Sequence, residues 1–227
     1  MTAPQAPFSL SDRLADLPYF RTMQSDRLAV LARRALCREF LPQETILAWG
    51  EPSGGLWMIE AGRVKICRVS TDGREHILRL AGPGDSFNEI PALDGGPNAA
   101  SAIALCHVSA WMLPSALLRD ELRADHQLAL QMIDVLAGRM RALVQQIEDL
   151  ALYSVTARLA RFLLLQLENE ALSGPGITRT TIAAHLATTP ETVSRALRTL
   201  EDIGAIRFDR QDILILRPDL LRSVAMD

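Results

Sequence analysis

Four residues near the end of the chain, Glu191, Ser194, Arg195 and Arg198, have types and spacing suited to reading base edges in DNA. On a helix they share one face, while Val193, Ala196, Leu197 and Leu200 share the other. A guanidinium can meet guanine O6 and N7 bidentately, and a Glu carboxylate accepts from the cytosine amino group. A Ser hydroxyl bonds either way, or its methylene touches a thymine methyl. An isolated amphipathic helix of this kind also describes the solvated face of an ordinary helical domain, so the flanking elements decide.

Those elements favour DNA. Thr178 can cap a first helix carrying Ile182, Ala183 and Leu186, and Ala187-Thr188-Thr189 makes a tight turn. Thr189 is placed to cap the second helix, with Pro190 at the first helical position where its missing N–H costs nothing. That helix runs to about Ile203 and stops at Gly204. Ile206-Arg207-Phe208 and Ile213 to Leu216 then flank Asp209-Arg210-Gln211-Asp212 as a small hairpin, a wing. A helix over about Val155 to Glu170 precedes this unit and ends at Ser173-Gly174-Pro175-Gly176.

Further back, a long helical pattern covers about Leu117 to Leu152. Ile133, Met140 and Ile147 recur every seven residues, as do Leu136, Leu143 and Leu150, offset by three. These are the a and d positions of a parallel two-stranded coiled coil. A core helix packed on its own domain is the alternative. The polar residues around the stripe, Arg139, Arg141, Gln145, Gln146, Glu148 and Asp149, favour a dimer helix. The reader helices of such a dimer would be swung by a hinge near Leu152-Tyr153-Ser154.

The N-terminal half has another texture. After a short amphipathic helix through Leu28, Leu31 and Ala32, short apolar runs from about Cys37 to Leu113 are punctuated by Gly50, Gly62, Gly73 and Gly84. Strands at that interval, with turns at Thr71-Asp72-Gly73 and Gly82-Pro83-Gly84-Asp85, give a β-barrel or sandwich. The chain is therefore α+β, with a sensor-like domain over residues 1–116, a dimerisation helix over 117–152 and a DNA-binding domain over 153–227.

Composition excludes more than it assigns. Of 227 residues, 48% are hydrophobic and 22% charged, which excludes a disordered chain. The net charge of −3 gives no bulk attraction to DNA, so the case rests on local arrangement. No apolar run spans a membrane and no signal peptide is visible, so a cytoplasmic protein is expected. Cys37, Cys67 and Cys106 are too scattered for a disulfide framework or an iron–sulfur cluster and read as small core residues. A metal-dependent cupin-like enzyme would want several histidines converging from barrel strands. The barrel offers only His76 and His107, far apart in sequence.

The stretch Ile177-Thr178-Arg179, Ile182, Glu191-Thr192-Val193-Ser194-Arg195 and Leu200-Glu201-Asp202 resembles the winged helix-turn-helix of the CRP/FNR family of bacterial transcription regulators. The likeness extends over nearly the whole chain. It implies a cyclic-nucleotide-binding-like β-roll, a long dimerisation helix, a C-terminal winged helix-turn-helix and no enzymatic activity. The Glu-x-x-Ser-Arg pattern is the one FNR-type members use on TTGAT-like half-sites. By this resemblance Glu191, Ser194 and Arg195 contact bases, while Thr178, Arg179, Thr189, Arg198 and Arg210 contact the DNA backbone. RNA polymerase would be met near Thr71 to Glu75 and near Glu168 to Ser173.

The same resemblance bears on the effector. Cyclic-AMP-binding members use a Gly-rich turn, a Glu for the ribose and an Arg-Ser pair for the phosphate. Here Phe87 and Glu89 remain, Asn88 replaces a Gly, and Ala99-Ala100 stand in place of the Arg-Ser pair. A buried phosphate would lack a charge partner there, so cAMP is not expected. The β-roll is most similar to the Dnr/Nnr branch, which implies non-covalent haem as a possible gas or redox sensor, with His107, His126 or His76 as candidate ligands. The alternative is an effector-independent regulator with a vestigial sensor.

Overall fold

The computed structural model describes residues 10–209 and 212–226. Two N-terminal helices, α1 (Leu10–Asp16) and α2 (Ser25–Arg34), precede eight strands. These are β1 (Leu36–Phe40), β2 (Thr45–Leu47), β3 (Gly55–Ala61), β4 (Val64–Val69), β5 (Glu75–Ala81), β6 (Ser86–Phe87), β7 (Ser101–Ala104) and β8 (Val108–Pro114), with helix α3 (Glu89–Asp94) between β6 and β7. They pair into two antiparallel four-stranded sheets, ordered β1-β8-β3-β6 and β2-β7-β4-β5, a β-roll.

Strand β3 shows why the apolar run Leu56 to Ile59 does not alternate with polar residues. Trp57 and Ile59 face the space between the sheets with Phe40, Phe87 and Val108. Leu56 and Met58 face outward, where they meet Leu14, Phe20, Leu31 and Leu118 from the surrounding helices. A strand covered on both faces reads as continuously hydrophobic. Gly55 lies opposite Pro114 so tightly that a Cβ there would run into the Leu113 carbonyl. Gly55→Ala should therefore cost about 1–3 kcal/mol, the usual penalty for overpacking. Urea unfolding should show a lower midpoint at unchanged slope.

The helical part begins with α4 (Ser115–Ala124) and α5 (His126–Leu152), followed by α6 (Val155–Gln166) and a short 3-10 turn (Glu170–Leu172). Then come α7 (Arg179–His185), α8 (Pro190–Asp202), the antiparallel strands β9 (Ile206–Phe208) and β10 (Ile213–Ile215), and α9 (Pro218–Val224). Leu159, Leu163, Ile182, Val193, Leu197, Leu200 and Leu221 form the C-terminal core. That core is continuous with Cys67, Ile77 and Leu80 on the outer face of β4 and β5, so the C-terminal domain packs directly on the β-roll.

Several expectations are corrected. The single helix from Leu117 to Leu152 is two, because the Asp125 carboxylate accepts from the Gln127 and Leu128 N–H groups and starts α5 afresh. The helix drawn to Glu170 ends at Gln166, beyond which Asn169 caps the 3-10 turn. Of the cysteines taken as core residues only Cys67 is buried, its thiol pushed up to about 11 by burial; Cys37, on edge strand β1, is exposed and Cys106 is half-buried.

The junction after α5 is where a hinge is expected. Tyr153 leaves the helix with extended backbone, and the Ser154 hydroxyl caps α6 by accepting from the Ala157 N–H. One α6 side chain crosses this junction. The Arg161 guanidinium pairs with Asp149 at 2.8 Å, lies 3.6 Å over the Tyr153 ring and donates through Nε to the Ala225 carbonyl.

Candidate nucleic-acid interface and effector cavity

The reader helix is built by two threonine caps. The Thr178 hydroxyl accepts from the Thr181 N–H at the start of α7, and the Thr189 hydroxyl accepts from the Thr192 N–H at the start of α8, with Pro190 in the first turn. Each cap contributes about 1 kcal/mol to its helix. Between the helices Ala187 takes a left-handed φ of 49°, and the Thr188 N–H returns to the Ala183 carbonyl at 2.9 Å. Val193, Ala196, Leu197 and Leu200 anchor α8 in the core, leaving Glu191, Arg195 and Arg198 exposed and Ser194 half-buried.

The polar groups of this face are held locally. Arg195 donates to the Thr192 hydroxyl at 3.1 Å, and the Ser194 hydroxyl donates to the Pro190 carbonyl, which leaves its lone pairs free to accept. The Glu191 carboxyl is kept below the usual carboxylate range by its own backbone N–H, with help from Thr189 and Arg195. It therefore stays ionised, the form that accepts from a base amino group. Arg179 is turned to the wing, donating to the Asp209 carbonyl and lying 5.2 Å over the Phe208 ring. Thr178 and Thr189 serve as caps, with Thr178 exposed. Arg210 lies outside the described residues.

On α5 both heptad rows are largely exposed. Ile133, Met140 and Ile147 are exposed at 58%, 67% and 66%, together with Leu130 and Val144. Leu143 and Leu150 are exposed too, at 48% and 38%, while bordering a cavity, and Leu136 packs against the core beneath α1 and α2.

That cavity, of about 600 Å³, lies between the β-roll, α5 and the C-terminal domain. It brings together Phe87, Glu89, Ala99 and Ala100, the four residues expected there. Asn88 takes the left-handed conformation, φ 71°, at the position where a Gly was expected, and its amide donates to Ser53, Gly55 and Asn98. Glu89 is buried, accepts from the Ser86 hydroxyl at 2.7 Å and forms an ion pair with Arg139. Arg139 also donates to the Ser86 carbonyl and hydroxyl, and Arg79 of β5 donates to the same carbonyl. Two guanidiniums line the cavity from β5 and α5, although none comes from the Ala99-Ala100 position. Sequence reasoning missed both, because Arg79 and Arg139 are sixty residues apart and carry no motif.

The histidines taken as haem ligands do not come together. His107 sits in the exposed turn before β8, not in a strand, and lies 3.5 Å from Glu39. His126 opens α5 at the surface. The His76 ring on β5 donates through Nδ1 to the Ala184 carbonyl of α7. None of the three lines the cavity, so this set does not fit a haem there. His185 does line it, and its Nδ1 donates to the Ile77 carbonyl, completing a reciprocal pair with His76 between α7 and β5.

Burial pushes the His185 imidazole below its ordinary value; the Ile77 bond opposes this and the neighbouring His76 adds to it. The unfolded chain therefore takes up the proton first. The stability contributed by neutral His185 is present above about pH 6.5 and is lost as the pH falls below it. Thermal melts from pH 7.5 down to 5.5 should show a steeper loss for the native chain than for His185→Gln.

Comparison with known proteins agrees with this architecture. Residues 37–125 match the cyclic nucleotide-binding domain model and residues 157–224 the Crp-like helix-turn-helix domain model. A CRP-like cAMP-activated global transcriptional regulator of Mycobacterium tuberculosis is 30% identical over 213 residues, 91% of this chain and 95% of the relative. The chain belongs to the CRP/FNR family of transcription regulators. The cyclic AMP receptor protein of Thermus thermophilus, another member, is 31% identical over 195 residues, covering 83% of this chain and 88% of its own. Among solved structures, FixK2 of Bradyrhizobium japonicum matches with a TM-score of 0.74 at 27% identity, over 84% of this chain and 96% of that one. In this CRP/FNR regulator, no helix among the described residues is long and apolar enough to cross a membrane.

Proposed function

We propose that this CRP/FNR regulator acts as a homodimer on palindromic TTGAT-like half-sites, with Glu191, Ser194 and Arg195 reading bases. Arg198, Thr178 and Thr189 hold phosphates, and Arg179 braces the wing. The observation that carries this reading is the exposed Glu191, Arg195 and Arg198 row on a helix whose other face is fully anchored. The dimer forms along the exposed row Ile133, Met140 and Ile147 of α5, with Leu143 and Leu150 flanking it. Such a dimer would meet the palindrome with its two reader helices one DNA turn apart, about 34 Å.

The relatives named above are cAMP-activated and cAMP-receptor proteins, but in this chain cAMP is not the effector. Ala99-Ala100 offer the phosphate nothing, and Glu89 is engaged by Ser86 and Arg139. The turn near Thr71 to Glu75 and the loop near Glu168 to Ser173, exposed at residues 71–74 and 168–170, are the surfaces for RNA polymerase in the cytoplasm. Fluorescence anisotropy with a TTGAT-N4-ATCAA duplex, beside a duplex with one half-site scrambled and at fixed salt, tests the reading. Tight binding only to the intact palindrome is expected, and equal affinity for both would overturn it. The same preference with no dependence on any small molecule would support a regulator without an effector.

A further inference from the structure

The cavity holds more hydrogen-bond donors than the chain satisfies. Arg139 is neutralised by Glu89, but among the described residues Arg79 has no carboxylate within ion-pair distance and is bonded to the Ser86 carbonyl. A charge removed from water with its counter-charges held off at a distance is costly, and a ligand that pairs with it directly recovers part of that cost. Burial and the neighbouring Arg139 push the Arg79 guanidinium below its ordinary value, and Glu89 and Asp85 offset them in part. Two more donors on the cavity wall, Gln146 Nε2 and Arg158 Nε, are buried with no partner. Buried donors left unpaired mark a place for an acceptor.

The spacing of these groups describes a ligand. Gln146 is seven residues beyond Arg139 on α5, about 10.5 Å along the helix. Leu78, Leu143, Leu150 and Leu172 give the cavity wall its apolar surface. We propose that the cavity takes an organic anion with an apolar body, its acidic group paired with Arg79 and a second acceptor at the far end bonded by Gln146 and Arg158.

This deepens the sensor reading above and rests on it. The far end belongs to the DNA-binding half: Arg158 lies on α6 and donates to the Leu186 carbonyl that ends α7. A ligand held at both ends therefore fixes the β-roll and the reader unit relative to one another. It would shift their equilibrium only through the difference in its affinity for the two arrangements.

Isothermal titration calorimetry on the full-length protein, with decanedioate, decanoate, cAMP and haemin as probes, tests the proposal. Decanedioate should bind, and decanoate at least tenfold more weakly. Arg79→Gln should weaken decanedioate at least tenfold, while Arg79→Lys, which keeps the charge, retains most of the affinity. Gln146→Leu should abolish the advantage of the diacid over the monoacid. The proposal is overturned if neither acid binds, if both bind equally, or if Arg79→Gln binds decanedioate as the native chain does. It is also overturned if cAMP outcompetes decanedioate, or if haemin gives a Soret band that vanishes in His185→Ala. Anisotropy on the palindromic duplex, run beside the calorimetry, separates the two readings. Specific DNA binding without acid binding sinks only the ligand proposal; loss of sequence preference sinks the DNA reading.

Discussion

Arg195→Ala is expected to weaken binding to the intact palindrome by about 1–3 kcal/mol, roughly 5- to 150-fold, and to relax discrimination at one G·C pair. The folded protein should barely notice, because Arg195 is exposed and its one bond, to the Thr192 hydroxyl, leaves no buried group stranded. Arg198→Ala is the informative contrast. A phosphate contact carries no sequence information, so its loss should weaken all duplexes alike and reduce the salt slope by about one. Anisotropy titrations at several salt concentrations read both effects. If Arg195→Ala kept native affinity and native discrimination, α8 would not be reading bases through that side chain.

A larger loss should follow from Ile147→Glu. Ile147 is 66% exposed in the single chain, so the new carboxylate disturbs little within it. In a dimer it would sit opposite its own copy in an apolar seam, where a charge is desolvated beside a like charge. Sedimentation velocity should show monomers, and DNA affinity should fall about 10²- to 10⁴-fold, since each reader would then bind without the effective concentration its partner supplies. Leu143→Glu is a less clean probe because Leu143 also borders the cavity. A dimer that survived Ile147→Glu would place the interface on another face.

The legible parts of the sequence were those with local chemistry. Thr178, Thr189-Pro190 and Gly204 mark helix ends by capping and φ preference alone, and the structure starts α7 and α8 directly after the two threonines. The paired strands were legible for the same reason, through glycine-bearing turns; Gly73 and Gly84 both take positive φ. The break at Asp125 was hidden because the apolar period continues past it and no Gly or Pro interrupts the run. The bend that carries His107 between β7 and β8 was hidden because Leu105-Cys106-His107 contains no turn residue. The heptad rows on α5 were visible, but that Leu136 turns into the core while the other members stay exposed depends on how α5 leans on α4 and the β-roll. The Arg79–Arg139 pairing around Ser86 is set by tertiary structure, which no spacing rule reports.

Arg161 bears on how the regulator would grip DNA. One side chain ties the end of α5, the ring of Tyr153 and the carbonyl of Ala225 together across the joint. In the dimer proposed above, such a tie would keep the two reading heads from wandering before they meet the double helix, so that less of the attraction is spent on ordering them. It would also make each reading head an arm of α5, so that a slight tilt near the cavity becomes a wide sweep at the tip.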